Sequence, residues 1–170
     1  MSENKKSILK ITTTVVIIAI LVILVIVNRR NASVNDAMAA AHRLEIESAA
    51  GSAEYAFSED DTYFTCFDTQ MRRKNGDVFD KHYSGIEFRR ILEEMGLTAD
   101  DSTDCVFICA DQYEIRVAGS EIREPGNVWL VTREDDLPLD EEQGPFMLVI
   151  NNDEFSTRWG RQIVKIKIGE

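Results

Sequence analysis

Few side chains in this sequence of 170 residues could carry out chemistry. It contains two histidines. His42 lies in an Ala-rich segment, where a lone exposed histidine is usually only a surface residue, so His82 is the one candidate for a histidine base. The sequence marks no partner for His82. It also lacks a Gly-rich phosphate loop and the His-Glu-x-x-His, Cys-x-x-Cys and Gly-x-Ser-x-Gly motifs. We therefore predict no catalytic residue and no metal site.

The three cysteines predict no disulfide framework. Cys105 and Cys109 fall in the run CVFICA, which is typical of a strand. A spacing of four places both on one face, about 13 Å apart, which is too far for a bridge. Either could face Cys66 on a neighbouring strand, although buried free thiols are the more common state. Cys66 lies between Phe64 and Phe67, and we predict a buried structural thiol there.

Charge is distributed unevenly. Residues 1–30 contain five of the 19 basic residues and one of the 30 acidic residues, so residues 31–170 hold 14 basic against 29 acidic residues, a net charge of −15. Such a surface repels nucleic acid and anionic lipid, so we expect no nucleic-acid partner. The one basic cluster is Arg72-Arg73-Lys74, before an Asn-Gly turn. It could hold an anion, although a solvated turn is more common. The acidic loop 133–143 lacks the residue order of a calcium loop.

An uncharged run predicts how the chain is placed in the cell. Ile11–Val27 contains no charged residue, Pro or Gly, and basic residues flank it on both sides. About 17–20 helical residues cross a bilayer, so residues 11–30 are predicted to be an uncleaved transmembrane anchor in contact with lipid. Basic residues slightly favour the N-terminal side, which predicts a cytoplasmic stub over residues 1–10 and a domain outside the cell membrane.

Elements of the remaining chain are predicted from their periodicity. Residues 31–52 are rich in Ala and predict a helical stalk that ends at Gly51. Residues 53–170 predict an α+β domain with a mixed sheet of six or seven short strands. Its one strong helix, residues 84–95, is predicted to begin at a capping box formed by Ser84 and Glu87 and to end at Gly96.

An ordered set of short segments resembles the oxidoreductase molybdopterin-binding domain family, which has the sulfite oxidase-like fold. The resemblance covers about residues 62–168 and implies that fold for the domain. The segments that carry it are Tyr83-Ser84-Gly85-Ile86, Ile91-Leu92-Glu93-Glu94-Met95-Gly96, Cys105–Tyr113, Leu137-Pro138-Leu139, Gly144–Val149 and Arg158-Trp159 with Ile163–Ile168.

The resemblance also implies candidate residues for a cofactor site. Catalytic members bind molybdenum through a cysteine in a Cys-x-Gly-Asn-x-Arg-like context. Cys66 occupies the corresponding region here, but the Gly is absent, and Gln112 replaces the Gly of a family Asp-Gly-Tyr turn. We therefore expect no cofactor. The candidate cofactor-binding residues that the resemblance implies are Cys66, Arg72, Asp111, Tyr113 and Arg158.

Three functions are compatible with these patterns. The first is a membrane-anchored extracytoplasmic domain for binding or assembly, without catalysis of its own. The second is a molybdopterin-dependent oxidoreductase with Cys66 as the metal ligand. The third is a structural or sensory ectodomain whose stalk pairs with another membrane protein through Ala39–Ala41. The sequence favours the first and names no substrate.

Overall fold

The computed structural model describes residues 20–21, 43–100 and 103–169. Beyond residue 36, the elements belong to one compact unit, Ala37–Glu170. It is a sheet-rich α+β domain, as the sequence predicts, but its described residues form ten strands, not six or seven, and its helices are short. The strands are β1 (Arg43–Ser48), β2 (Gly51–Ala56), β3 (Thr65–Arg72), β4 (Val78–Glu87), β5 (Asp104–Cys109), β6 (Glu114–Ala118), β7 (Val128–Glu134), β8 (Leu137–Pro138), β9 (Met147–Ile150) and β10 (Ile163–Ile168). The helices are α1 (Phe88–Glu94) and α2 (Gly119–Arg123), with a 3₁₀ turn at Ser156–Arg158.

The strands form two sheets. The first has the order β2-β1-β10-β5-β6, in which β1 and β10 are parallel and the other neighbours antiparallel. The second has the order β3-β4-β7-β8, and β9 also pairs with β7. The parallel pair joins the first strand of the domain to the last, so residues distant in sequence close the first sheet.

The alternation of side chains along the strands divides the core into two clusters. Leu130 and Leu148 of the second sheet face the main core, together with Phe88 of α1 and Phe107 of β5. The alternate residues of the same strands face the opposite side and form a smaller cluster of Tyr83, Trp129, Val131, Met147 and Val149. Because the second sheet is covered on both faces, β7 and β9 consist largely of apolar residues, as is typical of buried strands.

The prediction of a stalk helix is wrong over its last part. Residues 43–48 form β1, which pairs with both β2 and β10. Leu44 and Ile46 are buried, whereas Glu45 and Glu47 form ion pairs with Lys165 of β10. Buried and more exposed side chains thus alternate every two residues, as in a β-strand. Gly51 begins β2 and does not end a helix, so the folded domain includes residues before 53. The earlier part of the predicted stalk, with His42, lies outside the described residues.

The prediction of a capping box is also wrong, although the helix exists. Ser84 and Glu87 belong to β4, and the helix begins only at Phe88. The Glu87 carboxylate accepts a hydrogen bond from the backbone N–H of Gly126 at 2.5 Å and another from Arg89 at 2.6 Å. The predicted end is confirmed. Gly96 has φ of +66°, and the N–H of Leu97 donates to the carbonyl of Leu92, which closes the helix in a Schellman motif.

The predicted anchor, residues 11–30, lies outside the described residues except for Ile20 and Leu21, which are helical and exposed. Across the ranges that are described, no helix has the length and apolar character needed to cross a membrane.

Gly85 provides a test of the pairing between β4 and β7. A Cβ atom there would lie 2.2 Å from the carbonyl oxygen of Leu130 and 2.7 Å from the Cα of Val131, and both are backbone atoms that cannot rotate away. We predict that Gly85→Ala lowers the free energy of unfolding by about 2–3 kcal/mol, measured by denaturant titration of the full chain. Thr65→Ala is the matched control, because Thr65 is exposed and pairs with Gly85 across the strands. The control should change stability by under about 0.5 kcal/mol. Equal effects of the two substitutions would contradict the close approach.

Candidate functional site

Cys66 and Arg72 lie on the same face of β3 but far apart. Along β3 the exposed residues alternate with half-buried ones, and Phe67 and Met71 face the smaller cluster. Cys66 therefore faces solvent, and the prediction of a buried thiol at this position is wrong. It also faces neither Cys105 nor Cys109, which lie in the first sheet. Six residues of extended strand separate Cys66 from Arg72, which corresponds to about 20 Å.

Cys105 and Cys109 are free thiols, as predicted, and both are buried in the main core. Burial raises the pKa of Cys105 to about 12 and the pKa of Cys109 to about 11. At neutral pH both groups are protonated, and neither is a nucleophile.

Asp111 and Tyr113 flank the turn between β5 and β6. The Asp111 carboxylate accepts a hydrogen bond from the backbone N–H of Tyr113 at 3.0 Å, and the Tyr113 side chain is 57% exposed. Gln112 between them has φ of +70°, so the turn keeps the left-handed backbone even though the glycine is replaced. For a non-glycine residue that conformation costs roughly 1–2 kcal/mol. Asp111 and Tyr113 thus stabilise a turn at the exposed end of the first sheet.

Arg158 is held between two carboxylates. Its Nη2 donates to Glu121 Oε1 at 2.6 Å, its Nε donates to Asp153 Oδ2 at 2.9 Å, and Nη2 also binds Asp153 Oδ1. These hydrogen bonds raise the pKa of Arg158, chiefly through Glu121, and the Arg158 hydrogen bond is the main cause that lowers the pKa of Glu121. The guanidinium thus ties the 3₁₀ turn to α2, and its donors are largely occupied.

A cavity of about 270 Å³ lies at the end of the β3–β4 hairpin, and Arg72 is the one predicted candidate residue that lines it. Met71, Met147 and Trp159 form its apolar wall. Its polar and charged lining residues are Arg72, Arg73, Lys74, Ser156, Thr157 and Arg161. We call this the basic cavity.

Backbone hydrogen bonds hold the parts of the basic cavity together. The tip of the hairpin closes through the N–H of Arg73 to the carbonyl of Asp77 at 2.9 Å. The Ser156 hydroxyl donates to the carbonyl of Arg72 at 2.9 Å, which joins the 3₁₀ turn to the hairpin. Gly160 exchanges two hydrogen bonds with Leu148 of β9, at 2.7 and 3.1 Å, and so positions the following Arg161. These hydrogen bonds to the backbone hold in place the segments whose side chains line the cavity.

The cations of the basic cavity differ from the other cations of the domain. Residues 31–170 contain 14 Lys and Arg. Two of these 14, Arg123 and Lys167, have interaction partners elsewhere in the domain. Within residues 43–100 and 103–169, no carboxylate forms an ion pair with Arg72, Arg73, Lys74 or Arg161. The cations that do pair with carboxylates are Arg43, Lys81, Arg89, Arg90, Arg116, Arg133, Arg158 and Lys165.

A second, more open cavity of about 560 Å³ surrounds His82 on the outer face of the hairpin. The sequence marks no partner for His82, but its Nδ1 lies 2.6 Å from Asp68 Oδ1. That hydrogen bond is the main cause that raises the pKa of His82. The hairpin turns through three residues, 74–76, and this register places position 68 opposite position 82. A two-residue turn at Asn75-Gly76 would instead place position 68 opposite Tyr83, so the sequence alone does not identify the pair. In the part of the chain that the structure describes, no group of three or more His, Cys, Asp or Glu side chains is arranged to hold a metal ion.

Thiol reactivity tests the positions of the cysteines. We predict that Ellman's reagent modifies one thiol rapidly in the native full-length protein and three after denaturation, since Cys66 is exposed and the other two are buried. Cys66→Ser should abolish the rapid reaction, whereas Cys109→Ser should leave it intact. Rapid reaction that persists in Cys66→Ser would contradict this placement.

Comparison with known proteins supports the overall architecture. No family model matches the sequence, and no curated protein matches it. Among solved structures, the crystal structure of the sulfane dehydrogenase SoxCD from Paracoccus pantotrophus is similar, with a TM-score of 0.59 and 16% sequence identity. The similarity covers 74% of this chain and 37% of that chain. The domain is therefore distantly similar in fold to the sulfite oxidase-like fold of SoxCD, and it spans little more than a third of that protein.

Proposed function

We propose that this chain is a membrane-anchored ectodomain of sulfite oxidase-like fold that binds a ligand or a partner and performs no catalysis of its own. One observation carries the proposal: the five residues implied by the family resemblance do not converge. Arg72 lines the basic cavity, whereas Cys66, Asp111, Tyr113 and Arg158 lie outside its walls. A metal site needs ligands and supporting groups that face one another.

The hydrogen bonds of Arg158 also argue against a role in binding a cofactor. A residue that holds an anionic cofactor needs free donors, but this guanidinium is engaged by Glu121 and Asp153. Breaking those contacts would remove the cationic partner of two partly buried carboxylates, which is costly. Arg158 is better explained as a structural link.

The anchor belongs to the proposal on sequence grounds. The run Ile11–Val27 has the length and composition of a transmembrane helix, and its flanking charges slightly favour an inside N-terminus. The acidic domain would then lie outside and would be repelled by anionic lipid. Another membrane protein that pairs with the chain remains a proposed partner.

The exposure of Cys66 favours a second candidate, a molybdopterin-dependent oxidoreductase with Cys66 as the metal ligand. An accessible thiol can lose its proton and coordinate a metal, whereas Cys105 and Cys109 lie in the apolar core, where burial favours the protonated thiol. Its position on the edge strand β3, about 20 Å from Arg72, makes this the weaker of the two.

Metal analysis separates the two candidates. We predict that the full chain, purified in detergent from membranes of its own host, contains far less than one molybdenum per chain. Cys66→Ser should not change the metal content, and neither should Thr65→Ser, the matched control on the adjacent residue. One molybdenum per chain would overturn the proposal, and its loss in Cys66→Ser alone would assign the ligand.

Labelling in intact cells tests the anchor and its orientation. We predict that a membrane-impermeant maleimide labels Cys66 in intact cells. In a Cys66→Ser background, Ser7→Cys should be labelled only after the membrane is permeabilised. The protein should also stay in the membrane pellet after alkaline carbonate washing. The reverse labelling pattern would overturn the orientation, and release by carbonate would overturn the anchor.

A further inference from the structure

We propose that the basic cavity binds a phosphate or sulfate group, either as a free oxyanion or as part of a small organic molecule. This inference deepens the proposed function, on which it rests, by naming the ligand class and its site. Four cations line the cavity and have no carboxylate partner among residues 43–100 and 103–169: Arg72, Arg73, Lys74 and Arg161.

The four cations lie in a domain that contains many more carboxylates than cations, so their lack of a carboxylate partner needs an explanation. The domain has about two acidic residues for each basic one, so a cation has carboxylates available over most of its surface. At least eight of the 14 cations have such a partner, and the four cations that have none among the described residues all line a single concave site. Like charges brought together repel one another, which is unfavourable unless an anion binds between them. The arrangement is therefore best explained by a bound anion.

The donors at the site match a tetrahedral oxyanion. Guanidinium groups donate two parallel N–H bonds to phosphate or sulfate oxygens, and an ammonium adds a mobile point charge. The Thr157 hydroxyl supplies a neutral donor at the same wall. Arg73 is oriented by its position 5.0 Å from the centre of the Phe79 ring, and Arg72 by a hydrogen bond from its Nη2 to Gln70 Oε1 at 2.9 Å. Both guanidinium groups keep further N–H donors for a ligand.

The size of the cavity limits the ligand. At about 270 Å³ it lies just below the range of roughly 300–1,000 Å³ that is common for small-molecule sites. A phosphate or sulfate group fits, with room for water or a small organic substituent. The ring of Trp159 forms part of the wall and is fixed by its Nε1–H, which donates to the carbonyl of Ile150 at 3.0 Å. An aromatic or aliphatic substituent could pack there.

Calorimetric titration tests the site. The full chain in detergent is titrated with sodium phosphate, sodium sulfate and phenyl phosphate, at constant ionic strength, with chloride as the reference anion. We expect saturable binding of at least one of the three, and weaker binding as sodium chloride is added, because salt screens exposed charges. Tightest binding of phosphate or sulfate would indicate a free oxyanion, and tightest binding of phenyl phosphate would indicate an organic ester.

Charge-matched variants assign the binding to the cavity. Arg72→Gln and Arg161→Gln should each weaken binding about tenfold or more, as expected for the loss of a charge-assisted hydrogen bond. Arg43→Gln removes the same charge at an exposed ion pair with Glu54, outside the cavity walls, and should change the dissociation constant less than about twofold. Thermal unfolding without ligand should be unchanged in the two cavity variants, whose side chains are exposed.

Two outcomes overturn the inference: no saturable binding of any of the three anions at millimolar concentration, or equal weakening by Arg43→Gln and Arg161→Gln. Either result would leave the proposed binding role intact. A stoichiometric content of molybdenum would overturn that role and leave the oxyanion measurements unaffected, so the two failures are distinguishable.

Discussion

The pairing of β4 with β3 on one side and β7 on the other is the interaction on which the arrangement of the second sheet depends. It satisfies the backbone of Ser84–Glu87 and so places the start of α1 at Phe88. It sets His82 opposite Asp68, and it extends the hairpin far enough that the basic triplet reaches Ser156. The absence of a side chain at Gly85 lets the backbone of β7 approach at this point.

Ion pairs also link surface elements of the domain to one another. Lys165 lies between Glu45 and Glu47 across the parallel strands, and Arg158 lies between Glu121 and Asp153. Single exposed pairs add little stability, up to about 1 kcal/mol, so these contacts fix positions more than they stabilise the fold. Among the described residues, the four cations of the basic cavity form no such pair.

Local patterns predicted the elements whose burial follows a simple period. The apolar run CVFICA, for example, predicted the strand that the structure shows as β5. β1 was missed because the preceding Ala-rich segment suggests a helix and its own alternation covers only Leu44 and Ile46. The capping-box motif at Ser84 was overridden by pairing with β7, a contact between residues distant in sequence. In both places tertiary structure decided between two locally reasonable conformations.

Sequence patterns gave less information about the candidate site. Two-residue alternation would have placed Cys66 on the strand face opposite to that of the half-buried Phe67, but the aromatic neighbours suggested burial. The basic triplet was visible as a cluster, whereas Arg161, Ser156 and Thr157 come much later in the chain and join it only through the fold. No spacing rule links those positions. The cavity could therefore be identified only from the structure, and the same holds for the lack of carboxylate partners for its cations among the described residues.

The position of β3 at the edge of the second sheet has a consequence for self-association. An edge strand presents unpaired N–H and C=O groups that can template the strand of another molecule. The exposed face of β3 carries charged side chains at Asp68 and Arg72, and the basic triplet follows at its end. Charges of this kind discourage edge-to-edge stacking and aggregation. Substitutions that neutralise the charges of β3 and the hairpin tip would therefore remove a barrier to association between edge strands.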